Sequence, residues 1–247
     1  MKLAIGLQKV DEGHLNQVKV VHVMGQNEVL SFFEKDFLRA VKWFTYLDEF
    51  KELENELQNL LMQGAWHAFT RLHKLAITAI GRRRGLCDKN MIMISHNKDY
   101  AVCDVGKIEV DMSWCSNYSN EQMKYFTDTT MTNYIYLLTD QMVELKPNDV
   151  ELSYMMCQLC FQYAGQRFQG KILEFCEKVL ALLSDDLHNY YVKQLRTPNY
   201  AGRLAKMMKI NNKLREDIFK SRQRQEIAEI FNVYKVEFSH SEIFKDA

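Results

Sequence analysis

The most reactive side chains in this chain are six cysteines, and two of them, Cys157 and Cys160, stand three residues apart. A C-x-x-C pair holds zinc when two further ligands complete a tetrahedron, or forms a redox couple at the start of a helix. No second pair follows at zinc-finger spacing. Both thiols also fall in an apolar helical pattern with Leu152, Met155, Met156 and Leu159, so packing is the favoured reading and neither a metal nor a cofactor is expected. A phosphate-cradling glycine loop, H-E-x-x-H and G-x-S-x-G are all missing, which argues against an enzyme. Three features remain with chemical potential. His73 is a polar group on an apolar face, Arg82-Arg83-Arg84 is a basic run, and Glu242 is an acid close to Ile243 and Phe244 near the C-terminus. For Arg82–Arg84 a solvated helix end is favoured over an import signal.

The elements that carry these residues are helical. Only 2 Pro and 10 Gly occur in 247 residues, a scarcity that suits long helices better than a turn-dense β architecture. Hydrophobic residues reach 47%, enough for a substantial core, and 32 basic against 32 acidic residues give no overall attraction to nucleic acid or anionic membrane. No stretch is apolar for long enough to span a bilayer, and scattered cysteines indicate reduced thiols in a cytosolic or nuclear setting. Residues 1–26 read as a poorly specified lead-in, and 27–247 as one domain.

From Asn27, apolar residues at Leu30, Phe33, Phe37, Leu38, Val41 and Phe44 recur at three- and four-residue steps, predicting a long helix. A corner at Phe50 follows, then a second long helix over about 54–80, with Gly85 as its stop. Residues 91–95 and 100–104 predict a hairpin, the one strand signal in the chain. Ser119 and Gln122 form a capping box that opens a third helix ending at Pro147, and Asn148 and Glu151 cap a fourth. A fifth segment spans about 166–195. After Pro198 a last long helix spans 200–234, with a break near Asn211-Asn212.

Four segments carry a resemblance. In residues 41–66, Trp43, Phe50, Leu53, Gln58, Leu61 and Trp66 match the signature of nuclear-receptor ligand-binding domains. Residues 145–152 resemble the family's L-x-L-D-x-x-E-x motif, and 199–208 resemble its R-x-G/A-K-L-L core. Residues 238–246 resemble its activation helix, Φ-Φ-x-E-Φ-Φ with Φ apolar. The abundance of Met, Tyr and Cys is most similar to the expanded nematode receptors.

The resemblance implies an all-α, three-layer helical sandwich with one small β-hairpin. It implies a pocket for a small lipophilic, fatty-acid-like ligand, lined by Phe37, Val41, Phe44, Phe69, Leu72, His73, Met91, Met93, Met207 and Ile210. The competing reading of these residues is a filled core. A groove for a coregulator helix is implied at Lys42, Thr45, Leu61 and Met62, closed by an activation helix at about 237–246 with Glu242, Ile243 and Phe244. Homo- or heterodimers through the 200–234 helix, nuclear localisation, and contact with neither nucleic acid nor membrane complete the expectation.

Two departures matter. Thr45 stands where the family's clamp lysine is expected, with Lys42 one turn earlier. Ile77 stands where an acid-binding arginine occurs, so an acid-anchored ligand is not supported there. The family's DNA-binding zinc fingers are absent from this chain, which fits either an excised domain or a receptor-like protein without DNA contact. The alternative function is a ligand-independent all-α dimerisation scaffold.

Overall fold

The structure, a computed structural model, describes residues 2–10, 18–96, 99–127, 131–236 and 243. Among the described residues 71% are helical, about twice the share in an average globular protein, so this part of the chain is α-dominated as expected. It falls into two compact units.

The first unit comprises residues 1–12, 39–72 and 145–216. Its centre is α7 (Asp149–Phe168), in which Met155, Met156, Cys157, Cys160, Phe161, Tyr163 and Ala164 are wholly buried. A helix that buries apolar side chains on every face belongs at the core of a domain. α8 (Gly170–Asn189) and α1 (Lys2–Val10) pack against it. α1 lies within the predicted lead-in. It buries Leu3, Ala4, Gly6 and Leu7 on one face, and its Leu3 carbonyl accepts the Trp43 indole N–H at 3.2 Å. A nine-residue helix beside a glycine-rich stretch offers too little periodicity to be read locally.

The second unit comprises residues 13–38, 73–144 and 217–247. The predicted hairpin is present as β3 (Met91–His96) and β4 (Asp99–Asp104), antiparallel, with Met93 opposite Val102. It is larger than expected, because β1 (Lys19–Val20) adds a parallel strand to β4. A second parallel pair forms from β2 (Val23–Met24) and β5 (Glu109–Val110). Two-residue strands carry no alternation, so only tertiary pairing reveals them.

Three helices run through residues of both units: α2 (Gln26–Phe44), α4 (Asn55–Arg83) and α9 (Ala201–Ile230). The short α3 (Asp48–Lys51) forms the Phe50 corner. α4 ends in a Schellman motif: Leu86 N–H donates to the Gly81 carbonyl, Gly85 N–H to the Arg82 carbonyl, and Gly85 takes φ +70°. α5 (Asn120–Thr127) starts with the predicted box, since Ser119 N–H donates to Gln122 Oε1 and Gln122 N–H to Ser119 Oγ. α6 (Met131–Leu145) precedes Pro147.

Several predicted boundaries move. The fourth helix runs on to Phe168 and the next begins at Gly170, not 166, because Gly170 and Gln169 both take φ +54° at the turn. The break expected at Asn211-Asn212 does not occur. Asn211 instead donates its amide to the Met155 carbonyl at 2.8 Å, and α9 continues. α9 stops at Ile230 rather than Tyr234, since Asn232 at φ +49° closes a second Schellman turn through Val233 N–H and the Ala228 carbonyl.

Candidate functional site

The signature residues build a rigid corner in the first unit. Trp43 lies 5.1 Å from both Phe44 and Phe69 between ring centroids, Phe44 reaches Phe50 at 5.5 Å, and Phe161 of α7 meets Phe44 edge-on at 5.8 Å. α3 has no side-chain cap at its start. Its far end is held by Gln58, whose amide donates to the Phe50 and Leu53 carbonyls, each at 3.0 Å. One glutamine thus supplies a donor to the Leu53 carbonyl and a second one to the Phe50 carbonyl, which also accepts from Leu53 N–H at 3.3 Å.

The surface beside this corner differs from the expected clamp. Lys42 and Thr45 are exposed, but the Thr45 hydroxyl donates to the Lys42 carbonyl at 2.7 Å. Lys42 Nζ donates to the Lys9 carbonyl at 3.1 Å, a cation at the C-terminal end of α1. Leu61 and Met62 are buried, so neither forms an exposed groove wall. Glu242 and Phe244 lie outside the described residues. Ile243 is described and half-buried.

The expected pocket residues divide between the units. Val41, Phe44, Phe69, Leu72, Met207 and Ile210 belong to the first, and Phe37, His73, Met91 and Met93 to the second. Val41, Phe37 and Met91 are half-buried, while the other seven are buried. In the second unit Met91 and Met93 pack with Ile77, Tyr100 and Val102. The rings of His73 and Tyr100 stand 6.5 Å apart. Asp36, also buried, accepts a 2.7 Å hydrogen bond from the Ser95 hydroxyl. Nothing in the local sequence singles out Asp36 or Ser95. A cleft of about 320 Å³ lies alongside, lined by Val21, Met24, Ser31, Phe32, Ile94 and Ser95 among others. None of the ten expected pocket residues lines it.

The two central motifs prove to be halves of one network in the first unit. Glu151, 1% exposed, accepts from the Arg203 guanidinium through both carboxylate oxygens, from the Tyr191 hydroxyl, and from the Asn148 N–H at 2.9 Å. Asn148 Oδ1 in turn accepts from the Val150 and Glu151 amides, completing the capping box. Burial alone would push the Glu151 carboxyl up. Hydrogen bonds from Arg203, Tyr191 and Asn148 outweigh it and hold the carboxyl below its ordinary range. Tyr191 is pushed up by burial and by the same carboxylate, and it stacks on Tyr200 at 4.3 Å. The sequence contained each half of this pair but no signal joining them across 52 positions.

The remaining chemical candidates resolve simply. Cys157 and Cys160 are fully enclosed in α7, and burial pushes both thiols up, so neither is a ready thiolate. Arg82 leaves the basic run: it donates to Asp140 at 2.9 Å and to the Lys89 carbonyl at 2.6 Å, which leaves Arg83 and Arg84 as the exposed members. No described helix is long and apolar enough to cross a membrane.

Comparison with known proteins identifies the family. Residues 15–231 match the family model described as the ligand-binding domain of nuclear hormone receptor. The chain is 64% identical over its whole length to nuclear hormone receptor family member nhr-65 of Caenorhabditis elegans, covering 62% of that protein. It is 42% identical to nhr-55 and 43% identical to nhr-130 of the same organism, in each case over 99% of this chain, covering 58% and 56% of those proteins. It thus spans about three fifths of the length of these relatives. On this evidence the chain belongs to the nuclear hormone receptor family, within its ligand-binding domain.

Proposed function

We propose that this domain binds a small lipophilic molecule and, in response, recruits transcriptional coregulators in the nucleus, with no catalytic role. The observation that carries the proposal is the match over residues 15–231, together with intact signature packing around Trp43, Phe50, Gln58 and Phe69. In this reading an occupant shifts the population toward the state in which the Glu242 segment docks and completes a surface for an amphipathic helix. Ile77, buried against Met93 and Tyr100, favours a neutral ligand head over a carboxylate in that region. Contact with coregulators rather than nucleic acid suits the balanced charge of the chain.

The scaffold alternative relies on α9 as a dimer face. The exposed positions there include Lys206, Lys209, Asn212, Lys213, Glu216 and Lys220, and the large apolar side chains exposed on the helix are Phe219 and Ile230, a limited area for association. Extraction and mass spectrometry of the purified protein tests the proposal. A stoichiometric lipophilic molecule is expected in the parent. It should be lost in Val41→Trp, which fills space beside a half-buried position, with the far-ultraviolet circular dichroism unchanged. No retained molecule in the parent, or equal retention in the variant, would overturn the assignment.

A further inference from the structure

A second small-molecule site is inferred from the first unit alone, independently of the function proposed above. Where α8 ends, residues Tyr190–Gln194 form a π-turn in which the Tyr190 carbonyl accepts from Leu195 N–H at 3.0 Å, five residues on instead of four. Such widened turns are rare and occur frequently at functional sites. Beside it lies a cleft of about 220 Å³ whose walls include Leu3 and Ala4 of α1, Ser153 and Tyr154 of α7, and Leu183 and Leu187 of α8. Tyr190 also lines it and is held in place by the Asn148 side-chain amide at 3.1 Å. Ser153 is 5% exposed, and its hydroxyl has no hydrogen-bond partner. Buried hydroxyls are rarely left unmatched, because desolvation is then uncompensated. Asp186 stands on the same lining, exposed, and would repel a carboxylate.

We propose that this cleft takes a neutral, mainly apolar molecule of one or two rings, whose single N–H, hydroxyl or carbonyl group meets the Ser153 hydroxyl. The volume is below the roughly 300–1,000 Å³ of sites for drug-sized ligands, so the occupant is smaller than those. The probes are indole, which has one N–H, and naphthalene, which has a similar shape and no polar group. Each is titrated into the full chain and followed by amide chemical shifts.

Indole should move the amides of Ser153, Tyr190 and Gln194. Ser153→Ala should weaken indole about two- to tenfold and leave naphthalene unchanged. In the probe-free protein Ser153→Ala should keep or raise Tm, since it removes an unmatched group. Leu183→Trp should abolish binding of both probes. Equal indole affinity in parent and Ser153→Ala would overturn the proposal. So would a fall in Tm of about 2 °C or more on Ser153→Ala alone, which would show that the hydroxyl already has a structural partner. Absence of shifts at the three amides up to the solubility limit would do the same.

Discussion

Replacing Arg203 by methionine keeps most of the side-chain length and removes the cation that faces Glu151. The carboxylate would then remain buried with only the Tyr191 hydroxyl and the Asn148 amide as donors. Removing one partner of a buried ion pair costs about 3–5 kcal/mol. The Arg203 side chain is 37% exposed, so solvent screens part of its interaction, and the lower end, about 3 kcal/mol, applies. At about 2–4 °C per kcal/mol for a chain of this size, Tm should fall by about 6–12 °C.

Calorimetry or circular dichroism melts on the parent, Arg203→Met, Glu151→Gln and the double variant close a thermodynamic cycle. The double variant should be more stable than the two single losses predict, with a coupling of about 1–3 kcal/mol. The pH dependence supplies a second check. Because the folded carboxyl is held low, its contribution is complete above the unfolded value of about 4.3. It is lost as pH falls through the folded value. Glu151→Gln should therefore flatten the acid limb of the stability curve. A loss under about 1 kcal/mol for Arg203→Met, or strictly additive singles, would refute the view that this network joins α9 to α7.

Gln58→Ala should cost about 1–2 kcal/mol by removing its donor from the Leu53 carbonyl and one of two donors from the Phe50 carbonyl. Hydrogen exchange should show the loss of protection concentrated around α3, and a uniform loss would count against a local role. Gly6→Ala pits a helix-propensity gain of about 1 kcal/mol against a Cβ placed 2.6 Å from Tyr46 Cγ. Overpacking of this kind costs about 1–3 kcal/mol. A net fall in Tm is therefore expected, partly recovered by adding Tyr46→Ala, and a rise would show that α1 is not seated as described. For the proposed coregulator surface, Glu242→Ala should weaken binding of a leucine-rich peptide about tenfold, and Thr45→Lys should strengthen it. Equal fluorescence-anisotropy titrations for the parent and both variants would remove the activation-helix assignment.

What the sequence determined by itself is local. The long helices, the 91–104 hairpin and both capping boxes are legible because their signals lie within one or two turns: apolar steps of three and four, β-favouring runs on either side of a polar gap, and side chains that reach the nearest amides. The helix stop at Gly85 is legible for the same reason. Asn232, also a left-handed stop, is hidden in the sequence because the apolar pattern continues into Val233 and Tyr234.

Tertiary structure decided the rest. Helix continuity through Asn211 depends on a carbonyl 56 residues away, and the helical state of residues 2–10 depends on burial of Leu3 and Leu7. Strands β1, β2 and β5 exist only because neighbouring strands satisfy their amides. The same holds for chemistry. Glu151 and Arg203 could each be seen in a motif, and Asp36, Ser95 and Ser153 in none. Whether such a group is a solvated charge, a buried pair or an unmatched hydroxyl is set by dielectric surroundings and by partners distant in sequence, quantities that residue spacing does not contain.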